Sequence, residues 1–153
     1  MHLNIRRVVT GHDAEGRAVV THDGFVENAV NRRPGQAGSV LWSTEKVPAD
    51  NSGTDDAAFR PLGTINEAGT VFRIVEYGPG VAPRVHRTSS VDYAVVISGS
   101  IDMELDDGVV VHLEAGDTLV QRGTVHNWVN RGSEPCRIAF VLVAAEPVLN
   151  AVG

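Results

Sequence analysis

Short runs of Val, Ile, Leu and Phe, broken every few residues by Gly, Pro, Asn or Asp, fill the second half of the chain, and helical periodicity is almost absent. A pleated surface takes β-branched and aromatic side chains, and turn residues mark where the chain reverses, so the pattern predicts an all-β barrel or sandwich. Strands are expected at Thr70–Tyr77, Asp92–Ser98, Ser100–Asp106, Val109–Leu113, Thr118–Arg122, His126–Asn130 and Cys136–Ala144. Asp106-Asp107-Gly108 reads as a tight hairpin turn in which Gly108 supplies the positive φ. Further strand-like pieces lie at Leu3–Val9 and Arg17–Val20. Residues 44–69 are polar and turn-rich around Pro48-Ala-Asp-Asn-Ser-Gly-Thr-Asp-Asp, the signature of a surface loop rather than a second domain. An ordinary excursion is the expectation for it, with a lid over the barrel mouth as the alternative.

Alternation also predicts which residues share a face. With His126 pointing inward, Trp128 and Asn130 follow it while Asn127 and Val129 face away. With Asp92 inward, Ala94 and Val96 follow and Tyr93 looks out. Arg73 interrupts the apolar stretch Val71-Phe72-Arg73-Ile74-Val75. A buried guanidinium needs an anionic partner, either a substrate carboxylate or Asp92; a solvated arginine facing outward is the alternative.

Two half-motifs carry the candidate chemistry. The first is Gly80-Val-Ala-Pro-Arg-Val-His86-Arg-Thr88-Ser-Ser-Val-Asp92, with Gly99 following after six residues. The second is Gly116-Asp117-Thr-Leu-Val-Gln121-Arg122-Gly123-Thr-Val-His126-Asn-Trp128-Val-Asn130. Together they resemble the paired motifs of the cupins, G-x5-H-x-H-x3/4-E-x6-G and G-x5-P-x-G-x2-H-x3-N, over roughly residues 70 to 144. The resemblance implies a cupin-type double-stranded β-helix, a jelly-roll-like barrel, formed by residues 70–147. Residues 1–69 are then an N-terminal β extension and polar loop packed on it. Thr88 stands in place of the family's second histidine, Asp92 in place of its Glu and Gln121 in place of its Pro.

What survives is His86, Asp92 and His126, the metal ligands that the resemblance implies. Two imidazoles and one carboxylate on one side of a divalent ion leave other positions open, which suits iron first, then manganese, nickel or zinc. The residues alone equally allow Asp92 to orient His86 or to pair with Arg73, with no metal present. His86 and His126 are the expected catalytic residues, and Arg73, Thr88, Gln121 and Trp128 the expected substrate contacts. Gln121 and its neighbour Arg122 also read as mere turn residues. His112, after three valines, reads as structural or exposed.

The chain of 153 residues suits one domain with a real core. A formal net charge of −6 and scattered Arg87, Arg122, Arg131 and Arg137 argue against nucleic acid, which requires clustered cations. Cys136, the single cysteine, lies in an apolar run and reads as a buried small hydrophobe. With no internal disulfide, signal peptide or membrane span in the pattern, the expectation is a cytoplasmic protein with no membrane partner. A homodimer is expected, the N-terminal strands covering an open edge of a second copy or of their own barrel.

The motif variant resembles small single-domain cupins encoded with aromatic or polyketide metabolism, described as oxidoreductases, cyclases or decarboxylases. This implies an enzyme acting on a small oxygenated organic acid or a phenolic, polyketide-like compound. A non-catalytic small-molecule-binding barrel and a metal-free isomerase or epimerase using histidine as acid and base are the alternatives.

Overall fold

The structure is a computed structural model that describes residues 3–62 and 64–149. Eleven strands account for its regular structure apart from two short 3-10 turns. They are β1 (Arg6–His12), β2 (Ala18–Phe25), β3 (Val30–Arg33), β4 (Gln36–Thr44), β5 (Thr70–Tyr77), β6 (Ser90–Ser98), β7 (Ser100–Glu104), β8 (Val110–Glu114), β9 (Thr118–Arg122), β10 (Asn127–Val129) and β11 (Cys136–Ala144). A six-stranded sheet runs β3-β4-β5-β11-β6-β9, a three-stranded sheet runs β10-β7-β8, and β1-β2 stand as a separate hairpin. No helix among the described residues is long and apolar enough to cross a membrane.

One apolar cluster joins the inner faces of the two larger sheets. It takes Val71, Val75, Ala94, Val96, Ile138 and Phe140 from the first, and Ile101, Met103, Leu113 and Trp128 from the second. Residues directly opposite in a ladder share a face, so the register stacks this interior in layers. Val40, Arg73, Phe140, Ala94 and Leu119 make one layer; Val71, Leu142, Asp92 and Gln121 make the next. Alternation along β6 holds as expected: Asp92, Ala94 and Val96 are 5%, 8% and 3% exposed, whereas Tyr93 is 51% exposed.

The exposed turn between β7 and β8 is tighter than glycine alone explains. In Asp106-Asp107-Gly108, Asp107 and Gly108 both take left-handed φ values of 57° and 74°, and the Leu105 N–H closes the hairpin onto the Val109 carbonyl. Aspartate tolerates that region better than most side chains.

Alternation did not reveal β4. Its sequence Gln-Ala-Gly-Ser-Val-Leu-Trp-Ser-Thr is half small or polar, yet residues pointing to both sides are buried. Ser39 donates to Asn28 Oδ1 at 2.5 Å and Ser43 to the Ala57 carbonyl at 2.8 Å, so these hydroxyls are satisfied inside the protein. The segment after β4 is accordingly anchored rather than a free excursion. Asp56 caps the turn Ala57–Phe59, its carboxylate holds both Nη atoms of Arg7, and Ala57 and Ala58 are buried. The six-stranded sheet thus continues on both sides of position 70.

Candidate functional site

His86 and His126 come from different halves of the barrel motif and meet through their main chains. They form an isolated antiparallel bridge, with His86 N–H donating to the His126 carbonyl at 3.2 Å and His126 N–H to the His86 carbonyl at 3.0 Å. The ring centroids are 4.6 Å apart and the planes inclined by 56°. Each Nδ1 lies against the carbonyl two residues earlier, Arg84 O at 3.1 Å for His86 and Thr124 O at 2.9 Å for His126. A carbonyl only accepts, so Nδ1 carries the proton in both rings and the lone pair is on Nε2.

Burial keeps the pair neutral. The half-buried His86 is pushed down to about 4, mainly by desolvation, with the charges of His126, Arg84 and Arg33 acting in the same direction. His126, 5% exposed, is lowered by burial and held up in part by the Thr124 carbonyl and Asp92. The unfolded chain therefore takes up protons near an ordinary histidine value of about 6.5 that the folded pair refuses. This contribution to stability is full above that value and is lost as pH falls toward 4. The melting temperature should accordingly fall between pH 6.5 and 4, and His86→Asn should flatten part of that fall. An unchanged pH profile in His86→Asn would show that His86 titrates normally.

Aromatic rings wall the pair on one side. Trp128, 3% exposed, meets His126 edge-on at 6.0 Å, Phe140 at 6.0 Å and Tyr77 at 5.9 Å between centroids. As expected from alternation, Trp128 follows His126 inward. Asn127 faces away but is buried, its Oδ1 accepting from Arg84 N at 2.9 Å and its Nδ2 donating to Glu104 Oε1 at 2.9 Å.

Asp92 is inside the barrel, but its carboxylate is engaged elsewhere. Oδ1 accepts from Ser90 Oγ at 2.6 Å, and Ser90 Oγ lies 2.7 Å from Thr88 Oγ1. Burial raises the Asp92 carboxyl, opposed by Ser90, His126 and Arg73. Among the described residues, no three His, Cys, Asp or Glu side chains come together as a group able to hold a metal ion. The expected trio is thus not assembled: two imidazoles meet, and the third donor is tied to a serine.

The remaining expected contacts divide between interior and surface. Gln121, 3% exposed, sits opposite Asp92 in the ladder; its Nε2 lies 3.3 Å from Met103 Sδ and its Oε1 has no hydrogen-bond partner. Arg73 is inward and 9% exposed, donating to the Thr64 carbonyl at 2.7 Å, and its guanidinium is lowered to about 10, chiefly by burial. Thr88 lines a surface cleft of about 60 Å³ with Arg87, Ser90 and Gly123. Arg122 is exposed and ends β9, opposite Val91 in the ladder. His112 is a surface residue whose Nδ1 lies 2.6 Å from Asp102 Oδ1. Ser90, Asn127, Arg33 and Arg84 were not legible as site residues, because a serine in a strand and arginines far apart in sequence carry no local signal.

Residues 73–143 match the cupin domain family. The chain is 36% identical over 149 residues to the cupin-domain-containing oxidoreductase fogC of Aspergillus ruber, covering 93% of this chain and 73% of that protein. The chain belongs to the cupin family. This cupin is also 31% identical to the cupin-domain-containing oxidoreductase srdD of Neurospora crassa, covering 97% of this chain and 80% of the relative. The Cnp3 cupin domain of Schizosaccharomyces pombe has the same fold, with a TM-score of 0.56 at 11% identity, covering 91% of this cupin and 87% of that chain.

Proposed function

We propose that this chain is a cupin enzyme of the oxidoreductase kind, acting on a small oxygenated organic acid or phenol at the paired imidazoles. Relatives matched over nearly the whole chain carry that description. The observation that carries the reading is the tethering of both Nδ1 atoms, which leaves two neutral Nε2 acceptors side by side against an aromatic wall. A neutral imidazole removes a proton from a hydroxyl held within hydrogen-bond reach. The resulting aryl oxide or enolate is more readily oxidised than its parent, so proton removal by His126, whose proton affinity the Thr124 carbonyl and Asp92 support, prepares the substrate to pass its electrons to an oxidant from outside the protein such as dioxygen. Trp128, backed by Phe140, closes the apolar side of the pair.

A divalent transition metal is what the family resemblance implies, with iron first and manganese, nickel or zinc after it. His86 and His126 would give such an ion two donors, but Asp92 is engaged by Ser90 and does not join them. No step is therefore routed through an ion. Elemental analysis of untagged protein, together with turnover of a panel of phenols and hydroxy acids before and after chelation, tests the reading. Turnover that survives exhaustive chelation is expected. A near-stoichiometric metal that is lost in both His126→Ala and Asp92→Asn, along with turnover, would replace it with a three-ligand metal centre.

A further inference from the structure

Charge is unevenly distributed around the imidazole pair. The formal net charge is −6, and among the described residues the ion pairs of arginine with carboxylate take up Arg6, Arg7, Arg17, Arg131 and Arg137. Arg33 and Arg84 are in none of them, and neither are Arg32, Arg60, Arg87 and Arg122, although carboxylates outnumber cations in this chain. Arg33 and Arg84 lie beside the site, together with the buried Arg73.

Convergence is visible in their hydrogen bonds. Arg73 Nη2 donates to the Thr64 carbonyl at 2.7 Å and Arg84 Nη2 reaches the Oγ1 of the same threonine at 3.4 Å. Arg33 Nε donates to the Ala82 carbonyl at 2.9 Å, two residues before Arg84. The Arg84 carbonyl is the acceptor for His86 Nδ1, and Asn127 holds the Arg84 N–H. Arg73 and Arg84 therefore meet at Thr64, while Arg33 is held by the short stretch 82–84, whose last carbonyl also aims an imidazole. Their common neighbourhood shows in the buried Tyr77 hydroxyl, which feels the charges of all three, and in His86, which feels Arg33 and Arg84.

The arrangement is pre-formed. Arg33 ends β3, and the hairpin tip beyond it is stitched down by Gly78 N–H to the Gly35 carbonyl at 2.7 Å and Ala82 N–H to the Pro34 carbonyl at 3.1 Å. Gly35 has φ of +79°, and a Cβ there would lie 2.8 Å from Val81 Cα, so only glycine lets the tip press this closely. Burial, and after it the like charge of Arg84, lower the Arg33 guanidinium, and an anion bound beside the two would relieve that repulsion.

We propose that Arg33, Arg73 and Arg84 clamp the carboxylate of a small hydroxy acid, whose hydroxyl then faces Nε2 of His86 and His126. The clamp rests on the imidazole pair being the substrate site. Guanidiniums match a carboxylate in both charge and planar geometry. The groups deeper in are acceptors, the two Nε2 atoms and the unpartnered Gln121 Oε1, so the same ligand must also bring a donor. A phenolic carboxylate satisfies both ends, while a neutral phenol satisfies only the second.

Calorimetric titration with 3-hydroxybenzoate, benzoate and phenol, on the wild type and on Arg33→Gln, Arg84→Gln and Arg33→Lys, tests the clamp. The wild type should bind 3-hydroxybenzoate most tightly. Each glutamine variant should lose about tenfold or more for both carboxylates and keep its phenol affinity, and Arg33→Lys should recover part of the loss; a melting curve confirms that each variant folds. Carboxylate affinity indifferent to Arg33 and Arg84, phenol binding as tight as 3-hydroxybenzoate, or no binding of any of the three would overturn the proposal. Binding is read without turnover, which separates the two readings. Acid binding that depends on the arginines in a protein inert toward every substrate sinks only the catalytic reading, and turnover with acid binding indifferent to them sinks only the clamp.

Discussion

Substituting His126 by alanine should lower kcat/KM by about 10²- to 10⁴-fold, the range expected when a positioned proton acceptor is removed. The ring of His126 is the more buried of the pair and meets Trp128 edge-on. The main-chain bridge to His86 does not involve the side chain, and the backbone of residue 126 should stay in place. Loss of rate should then come with only a modest loss of stability. Steady-state kinetics on a responsive hydroxy acid, with a denaturation curve of the variant alongside, makes the comparison. Full activity in a folded His126→Ala protein would remove His126 from the chemistry and sink its role as the proton acceptor.

Trp128→Ala should be the costliest of these changes for stability, at about 3–5 kcal/mol, the range for deleting a large buried aromatic. The indole is 3% exposed and packs on three rings at once, those of Tyr77, His126 and Phe140. It also belongs to the short strand β10, whose partner across the ladder is Met103, so the cavity would open where the smaller sheet meets the larger. Domains are stable by only about 5–15 kcal/mol, and the variant would stand close to unfolding. Trp128→Phe should keep most of the packing. Urea denaturation of the two variants against the wild type measures the difference, and a cost below about 1 kcal/mol for the alanine would mean that the site relaxes to fill the gap.

Much of the scaffold could be read from alternation. β5, β9 and β11 have the bounds that the hydrophobic pattern predicts, and Ala94, Val96 and Trp128 follow from period two once Asp92 and His126 are taken as inward. β4 escaped because its two faces are both covered, which removes the alternation between apolar and polar residues on which the reading depends. The imidazole pair was legible because both histidines stand at the histidine positions of the paired motifs that the chain resembles. Asp92 was only half legible: periodicity places the residue inside, but its carboxylate goes to Ser90, a choice made by side-chain torsions and a hydroxyl two residues away. Arg33 and Arg84 are 51 positions apart and meet only through the fold, so no local pattern announces them.

The bridge between His86 and His126 bears on how such a barrel diversifies. The two rings are aimed by peptide groups, through the mutual ladder bonds and the carbonyls of Arg84 and Thr124, and every residue type supplies those peptide groups. Side chains at 88, 92 and 121, where this chain departs from the motif, can therefore be exchanged by mutation without dismantling the pair. Drift at those positions would change what the imidazoles meet while sparing the imidazoles themselves, which lets one inherited scaffold explore new ligands in single steps.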